Sequence, residues 1–312
     1  MTIIQSAFAS AKMPLKGALH VHTTRSDGEG SPEEVLRLYA SKGYDFVALT
    51  DHNLYNHHNF APETGLLIIP GVERNQSMTD EKPGQVHTFH TVCLGHSKER
   101  GNTWQQDQRF DRAVRVADQH ALQPYLDDMH ASGQITVLCH PMWSGTPARE
   151  FSKLRGHFAM EIWNSGCAIE NEMDSNAAYW DEILSQGIRW WGVAVDDGHA
   201  MNHHGNGWVS VSADKTIDGV IDALEDGAFY SSCGPEIYDF RVESGAARIE
   251  CSPCACAGFA FSHRPNVLTW DREAAGVTCA VFNIPEGMPY VRGIVKDANG
   301  RRAWTNPIFL NN

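Results

Sequence analysis

What the chain is short of narrows it first. No apolar run approaches the ~20 residues that a membrane-crossing helix needs. Residues 1–17 hold no long apolar stretch behind a basic one, so neither an anchor nor an export signal is expected there. Positive charge is scarce: 25 Lys and Arg stand against 38 Asp and Glu, a formal net charge of -13. Such a surface repels phosphate backbones and argues against duplex nucleic acid as a partner. A second pair of cysteines at zinc-finger spacing is missing too. The cysteines are scattered, with one cluster, Cys251-x-x-Cys254-x-Cys256, and no second pair to complete a site. Reduced thiols in a cytoplasmic protein are therefore expected. Repeats and low-complexity segments are absent, and a 42% apolar share can bury a sizeable core.

What is present, up to about residue 235, is an alternation of short apolar runs and helical patterns. Strands are predicted at Ala18–Val21, Phe46–Thr50, Leu66–Ile69, Ile135–Cys139, Met160–Trp163, Trp191–Val195 and Phe229–Ser232. A helix is predicted after Ser31, where Ser31-Pro32-Glu33-Glu34 reads as N-cap, proline at N1 and capping-box glutamate. Further helices are predicted over 111–132, 177–185 and 217–225. Gly43, Gly133, Gly187 and Gly227 stand where these helices stop. Repeated strand–helix units mean an α/β fold with a mainly parallel sheet, and their number suits a closed or nearly closed barrel. After residue 236 the helical periodicity gives out. Short β-like runs take over at Tyr238–Val242, Ala247–Cys251, Val277–Phe282 and Tyr290–Lys296. The expected organisation is a barrel over 1–235 and a small all-β appendage over 236–312.

Metal-capable side chains sit just past the predicted strands, the end that carries the active site in barrels and open parallel sheets. His20 and His22, two apart on an extended segment, point the same way and can grip one cation. Asp27 follows in a loop that Gly28 lets turn. Asp51-His52 ends the next strand. Glu73 ends a strongly apolar run, where one carboxylate can bridge two cations ~3.5–4 Å apart. His87 and His90 are three apart and cannot share a strand face; the parity of His90 with Val92 and Leu94 favours His90. His140-Pro141 and Asp196-Asp197-Gly198-His199 close two further strands. Any one motif is as well explained by surface histidines; six at strand ends are not. Imidazole and carboxylate without clustered thiolate suit zinc, manganese or iron. The donors outnumber what one ion can use, so two or three divalent cations are expected.

The order H-x-H-x(4)-D-G, T-D-H, G-V-E, a strand histidine, H-P and D-x-H, over residues 18 to about 235, resembles the PHP (polymerase and histidinol phosphatase) family. Within it, Glu161-Ile162-Trp163-Asn164, Asp196–His199, Phe229–Pro235 and Ala303–Ile308 are similar to the carbamate-hydrolase-like metallohydrolases, a branch with a small β appendage. The resemblance implies a distorted (β/α)7 TIM-like barrel and a two- or three-metal centre. His20 and His22 would hold a first ion with Glu73 and Asp197. Glu73 would bridge to a second, held also by His90 and His140. Asp27, His52 and His199 would hold a third. No catalytic side chain is expected, because the cations would lower the pKa of a water toward ~7 and make it the nucleophile.

Around that centre, Asp51 or Asp196 is expected to orient a ligand histidine. Arg25 and Arg74 are candidates to clasp a phosphate. Asn164, His203, His204 and Trp143 are candidates to meet substrate. The expected function is a phosphoesterase acting on a small anionic phosphorylated molecule, which bound cations would make compatible with an acidic protein. Hydrolysis of non-phosphate esters, carbamates or amides is the alternative, and a non-catalytic metal-stabilised module the third reading.

Overall fold

The computed structural model describes residues 4–6, 8, 14–78, 88–111, 114–116, 119–173 and 176–310. The first part runs β1 (Ile4–Ser6), β2 (Leu15–Ala18), α1 (Pro32–Ser41), β3 (Phe46–Val47), β4 (Leu67–Ile68), β5 (Gly71–Met78), β6 (Thr88–Gly95) and β7 (Val114–Val116). Next come α2 (Gln123–Ala131), β8 (Gln134–Leu138), α3 (Ala148–Phe151), β9 (His157–Asn164), α4 (Ser165–Asn171), α5 (Ala177–Ser185) and β10 (Trp191–Val195). Then follow β11 (Trp208–Val211), α6 (Ile217–Glu225) and β12 (Phe229–Ser232). The remainder is β alone: β13 (Ile237–Glu243), β14 (Ala246–Cys254), β15 (Cys256–Phe261), β16 (Val267–Trp270), β17 (Val277–Asn283), β18 (Tyr290–Lys296), β19 (Arg302–Thr305) and β20 (Ile308–Phe309).

The mixed α/β class and the β-rich C-terminal region are as expected. The regular alternation of strand and helix is not. β5 pairs antiparallel with β6, and β6 antiparallel with β8. The connection 79–87 is shorter than the dozen or so residues a parallel crossover needs, so the chain turns back on itself. The helix expected over 111–132 is confined, among the described residues, to α2, with β7 and a 3-10 turn before it. Pro124 explains the late start: it is tolerated only in a first turn, and α2 places it there. No described helix is long and apolar enough to cross a membrane.

α1 begins as its sequence requires. Ser31 Oγ accepts from Glu34 N at 3.3 Å, and the Glu34 carboxylate accepts from Ser31 N at 2.9 Å. Val35, Leu36 and Tyr39 form its buried face.

Strand ends are stitched into a ring. β2, β3 and β4 run parallel, and β5, β6, β8, β9 and β10 follow side by side. His52 bridges Glu73, and Val21 bridges Gly198, which returns the end of β10 to the end of β2. Asp197 N donates to His20 O at 3.0 Å across that seam. Leu19, Phe46, Ile69, Val92, Val137, Ala159 and Val193 fill one core cluster, each nearly or fully buried. Gly17 has no room for a Cβ, which would lie 1.9 Å from the Phe46 ring.

The C-terminal strands divide between two sheets: β13, β14 and β17 form a four-stranded sheet with β1, and the others join the sheet that holds β2. β19 pairs antiparallel with β12, so β18, β15 and β16 extend the sheet that holds β2. Buried Arg292 of β18 also grips Asp181 of α5 in a two-pronged ion pair, at 2.8 and 2.6 Å.

His157 at the start of β9 is buried, and neither ring nitrogen has a hydrogen-bond partner among the described residues. Its ring meets Trp190 edge-on at 5.0 Å. Burial, with His130 nearby, pushes its pKa down from 6.5 to about 3. The unfolded chain therefore takes up this proton below pH 6.5, while the folded chain refuses it until about 3. Its contribution to stability is present above pH 6.5 and is lost as pH falls through that window. His157→Leu is expected to remove up to about 1.4 kcal/mol of stability change per pH unit between pH 6 and 4. Urea melts of wild type and variant in chelator check this; parallel pH dependences would refute it.

Candidate metal centre

Six segments, four of them connections and two of them strands, deliver candidate donors to one region. His20 and His22 follow β2, Asp27 lies in the next loop, and His52 follows β3. Glu73 lies in β5, His90 in β6, His140 just past β8, and Asp197 and His199 past β10. His20 and His22 are fully buried, as is Glu73.

Glu73 is the hub. Its oxygens lie 2.7 Å from His52 Nδ1, 2.9 Å from His90 Nδ1, 3.4 Å from His22 Nε2 and His140 Nε2, and 3.5 Å from His20 Nε2. Asp197 Oδ1 approaches His22 Nε2 at 3.0 Å and His20 Nε2 at 3.3 Å. Asp27 gathers the outer group, 3.4 Å from His52 Nε2 and 3.5 Å from His199 Nε2, with His22 Nδ1 at 3.8 Å.

These residues fit divalent cations. His20 Nδ1 sits 2.6 Å from Glu161 Oε1, so its proton belongs there and its Nε2 carries the lone pair. His140 Nδ1 pairs with Ser144 Oγ at 3.0 Å, and His199 Nδ1 with Asp197 O at 3.1 Å. Their Nε2 atoms are freed to face the cluster, as in histidines oriented for ligation. His20 Nε2 and His22 Nε2 are only 3.1 Å apart. Two nitrogens each ~2.05 Å from one tetrahedral zinc would stand ~3.3 Å apart. Glu73 Oε2 and His90 Nδ1 are buried and make no aligned hydrogen bond among the described residues. His22, Asp27, His52 and His199 together could hold an ion, as could His20, His22 and Glu73, or Glu73 and His140 with Cys139.

The electrostatics agree. Burial opposes charging His20, yet Asp197, Glu73 and Glu161 together hold its pKa well above the usual value. Burial likewise opposes charging His52, but Glu73 and Asp27 carry it up to about 9. Burial works against ionising Glu73, but the surrounding imidazoles hold its carboxyl well below the usual range. Ionised carboxylates here draw protons onto histidines, and cations would take those protons' place.

The backbone is bent to this purpose. Asn53, His140 and Asp197 take φ of 53, 24 and 48 degrees, a left-handed conformation that costs non-glycine residues roughly 1–3 kcal/mol.

All nine expected donors thus converge on one region. His87, the alternative to His90, lies outside the described residues. Other expectations need correction. Arg25 is turned away, paired with Asp107, donating to Asn56 Oδ1 at 3.0 Å and lying over the Phe60 ring. Arg74 is buried with its guanidinium 4.0 Å above Phe110. Neither lines the cavity at the cluster. Asn164 is fully buried, and donates to Glu161 Oε2 at 2.9 Å and Asp197 Oδ2 at 3.0 Å. It braces two carboxylates instead of lining the cavity. His203 is buried, 3.8 Å from Glu170, and His204 is buried beside Tyr39 OH at 3.2 Å. Neither Asp51 nor Asp196 bonds directly to a histidine of the cluster among the described residues, though Asp51 reaches His22 through Ser26, whose Oγ lies 3.4 Å from His22 Nδ1. Asp51 accepts from Thr23 and Ser26, and Asp196 accepts from Tyr39 and three backbone amides.

Glu161, expected only as part of a family-like motif and given no role there, proves central to the site. It holds His20 Nδ1 with one oxygen and accepts from His140 N at 2.8 Å with the other. The clue was a lone carboxylate in the otherwise apolar run Met160–Trp163. Cys139, read as an ordinary thiol, lies against the donors; the four cysteines from Cys251 onward join no donor group among the described residues.

A cavity of about 290 Å³ opens onto the cluster. Beyond the donors it is lined by Trp143, Gly166, Cys167, Glu170 and Asn171.

Residues 18–184 match the family model described as PHP domain. A 41-residue stretch, 13% of the chain, is 46% identical to the DNA polymerase/3'-5' exonuclease PolX of Bacillus subtilis (strain 168), and spans 7% of that protein. Among solved structures, the chain is similar to a two-domain protein from Bacteroides vulgatus ATCC 8482 containing a predicted PHP-like metal-dependent phosphoesterase. That likeness covers 98% of both chains at 12% identity, with a TM-score of 0.49. It is also similar to an amidohydrolase from Chromobacterium violaceum with bound sulfate and no metal, over 59% of this chain and 88% of that one, at 15% identity and a TM-score of 0.39.

Proposed function

The chain belongs to the PHP domain family, and from that premise we propose that it is a metal-dependent phosphoesterase acting on a small phosphomonoester. The observation that carries this reading is the buried Glu73 carboxylate, within 3.5 Å of five imidazoles. His20, His22, Glu73 and Asp197 would hold one divalent cation, and Glu73, His90 and His140 a second. Asp27, His52 and His199 would hold a third, with His22 beside them. Zinc, manganese and iron suit this donor set. In this reading the ring of strands is the distorted barrel of the carbamate-hydrolase-like branch, with residues 236–312 as its β appendage, in a cytoplasmic protein.

Divalent cations would lower the pKa of a water and neutralise charge on phosphoryl oxygens. Hydrolysis adds the water oxygen to phosphorus, breaks the ester P–O bond and delivers a proton to the departing alkoxide. The chain's own part is positional. Glu161 keeps the His20 proton on Nδ1, so His20 serves as a donor and not as an acid or base. Asn164, on the same strand as Glu161, ties that carboxylate to Asp197 past β10.

One observation favours a second reading, hydrolysis of a neutral ester, carbamate or amide. Among the described residues no lysine or arginine lines the cavity, so a phosphate would be gripped by cations alone. Protein loaded with zinc, manganese or iron, its metal content measured, separates the two. The phosphoesterase reading expects turnover of p-nitrophenyl phosphate and little of p-nitrophenyl acetate; the reverse pattern would overturn it.

A further inference from the structure

We propose that Trp143 and Glu170 form a leaving-group subsite that selects a planar group carrying positive charge or hydrogen-bond donors, and disfavours one carrying further negative charge; this rests on the phosphoesterase reading above.

The cavity has a donor side and a far side, and the far side is chemically uneven. Trp143 follows His140 in the turn after β8. Its ring stands edge-on to His140 at 4.9 Å and tilted against His90 at 6.0 Å. Trp104, Trp180, Trp190 and Trp304 are buried, yet Trp143 remains 46% exposed while bordering the donors. An exposed indole face beside a catalytic cluster is a stacking platform, and its quadrupole favours a cationic ring or ammonium over an anion.

Glu170 comes from a different element, α4, and lines the same cavity. Its side chain is 56% exposed, and His203 Nε2 lies 3.8 Å away, beyond hydrogen-bond length. Its oxygens therefore remain able to accept. Asn171, beside it in sequence, also lines the cavity and adds an amide. The arginines that could have answered a second anionic group are committed elsewhere, Arg25 to Asp107 and Arg74 to Phe110. A phosphoryl group at the donors would place its leaving group between an indole face and a carboxylate. A substituent bearing a carboxylate or a second phosphate would meet Glu170 with no counter-charge from the described residues.

The test uses the metal-loaded full chain and three aryl phosphates with a 4-aminomethyl, 4-methyl or 4-carboxymethyl substituent. The expected order of kcat/KM is ammonium, neutral, carboxylate, with roughly five-fold or more between the extremes, the scale of one exposed charge pair. Glu170→Gln is expected to narrow that ratio and Glu170→Lys to invert it. Trp143→Ala is expected to raise KM for all three. Ratios identical in wild type and both Glu170 variants, or a wild-type preference for the carboxylate, would overturn the proposal. If none of the three is turned over by protein with full metal content, the phosphoesterase reading falls. Calorimetric titration with the matching aryl phosphonates then still decides the subsite: tighter binding of the ammonium compound sustains it, and equal binding overturns it.

Discussion

Glu73→Gln is expected to strip the protein of most of its tightly bound metal and to lower kcat/KM by about 10³-fold. The replacement keeps the shape and removes the charge. Glu73 is fully buried, and its oxygens lie between 2.7 and 3.5 Å from five imidazole nitrogens. An amide can offer one oxygen to one ion, but it cannot serve as an anionic bridge between two. Removing one partner of a buried charged set costs about 3–5 kcal/mol, and each 1.36 kcal/mol is tenfold in rate or affinity. Metal content after gel filtration and turnover of p-nitrophenyl phosphate measure the two effects separately. A variant that keeps its full metal complement and stays within tenfold of wild-type activity would remove Glu73 from the centre.

Asp196→Ala is expected to lower folding stability by about 4 kcal/mol or more, without removing any proposed donor. Asp196 is fully buried and accepts four hydrogen bonds: Tyr39 OH at 2.7 Å, Gly205 N at 2.6 Å, Asn206 N at 2.9 Å and Gly207 N at 2.7 Å. Burial lifts its carboxyl above the ordinary range despite these donors. Alanine would leave the donors facing a void, at about 1–3 kcal/mol for each one left unsatisfied. The loop they hold passes beneath Gly198, where a Cβ would lie 2.3 Å from the His204 ring. Asp197 and His199 flank that glycine, so the loss should loosen metal as well. Asp196→Asn keeps an acceptor and should recover much of the stability. Denaturant melts in chelator isolate the fold from the metal. A cost under about 1 kcal/mol in Asp196→Ala would show that the loop holds itself.

Much of the centre was legible locally. His20 and His22 share a side because side chains alternate with period two along an extended segment, and Glu34 caps α1 because a side chain three residues on reaches back. Such features depend on neighbours in sequence, so spacing reveals them. The nine candidate donors could be picked out one by one for the same reason. Roles decided at long range could not. Arg25 and Arg74 looked like phosphate ligands because they adjoin donors, yet their partners are Asp107 and Phe110. Glu161 looked like part of a strand, and its importance depends on His20, which lies 141 residues earlier. The helix expected over 111–132 starts only at Gln123 for a local reason, Pro124, to which apolar periodicity is blind.

The chain by itself therefore determined which side chains are candidate donors, and that carboxylate and imidazole suit divalent cations. Tertiary structure decided the rest. It ran β6 antiparallel between β5 and β8, returned β10 to β2 through Val21 and Gly198, and joined β19 to β12. It also turned Asn164 into a brace and left Trp143 and Glu170 facing the cavity. The physical reason is the reach of the interactions. Periodicity and capping act over a few residues, whereas charge pairing and cavity lining depend on which distant segments the packed core brings together.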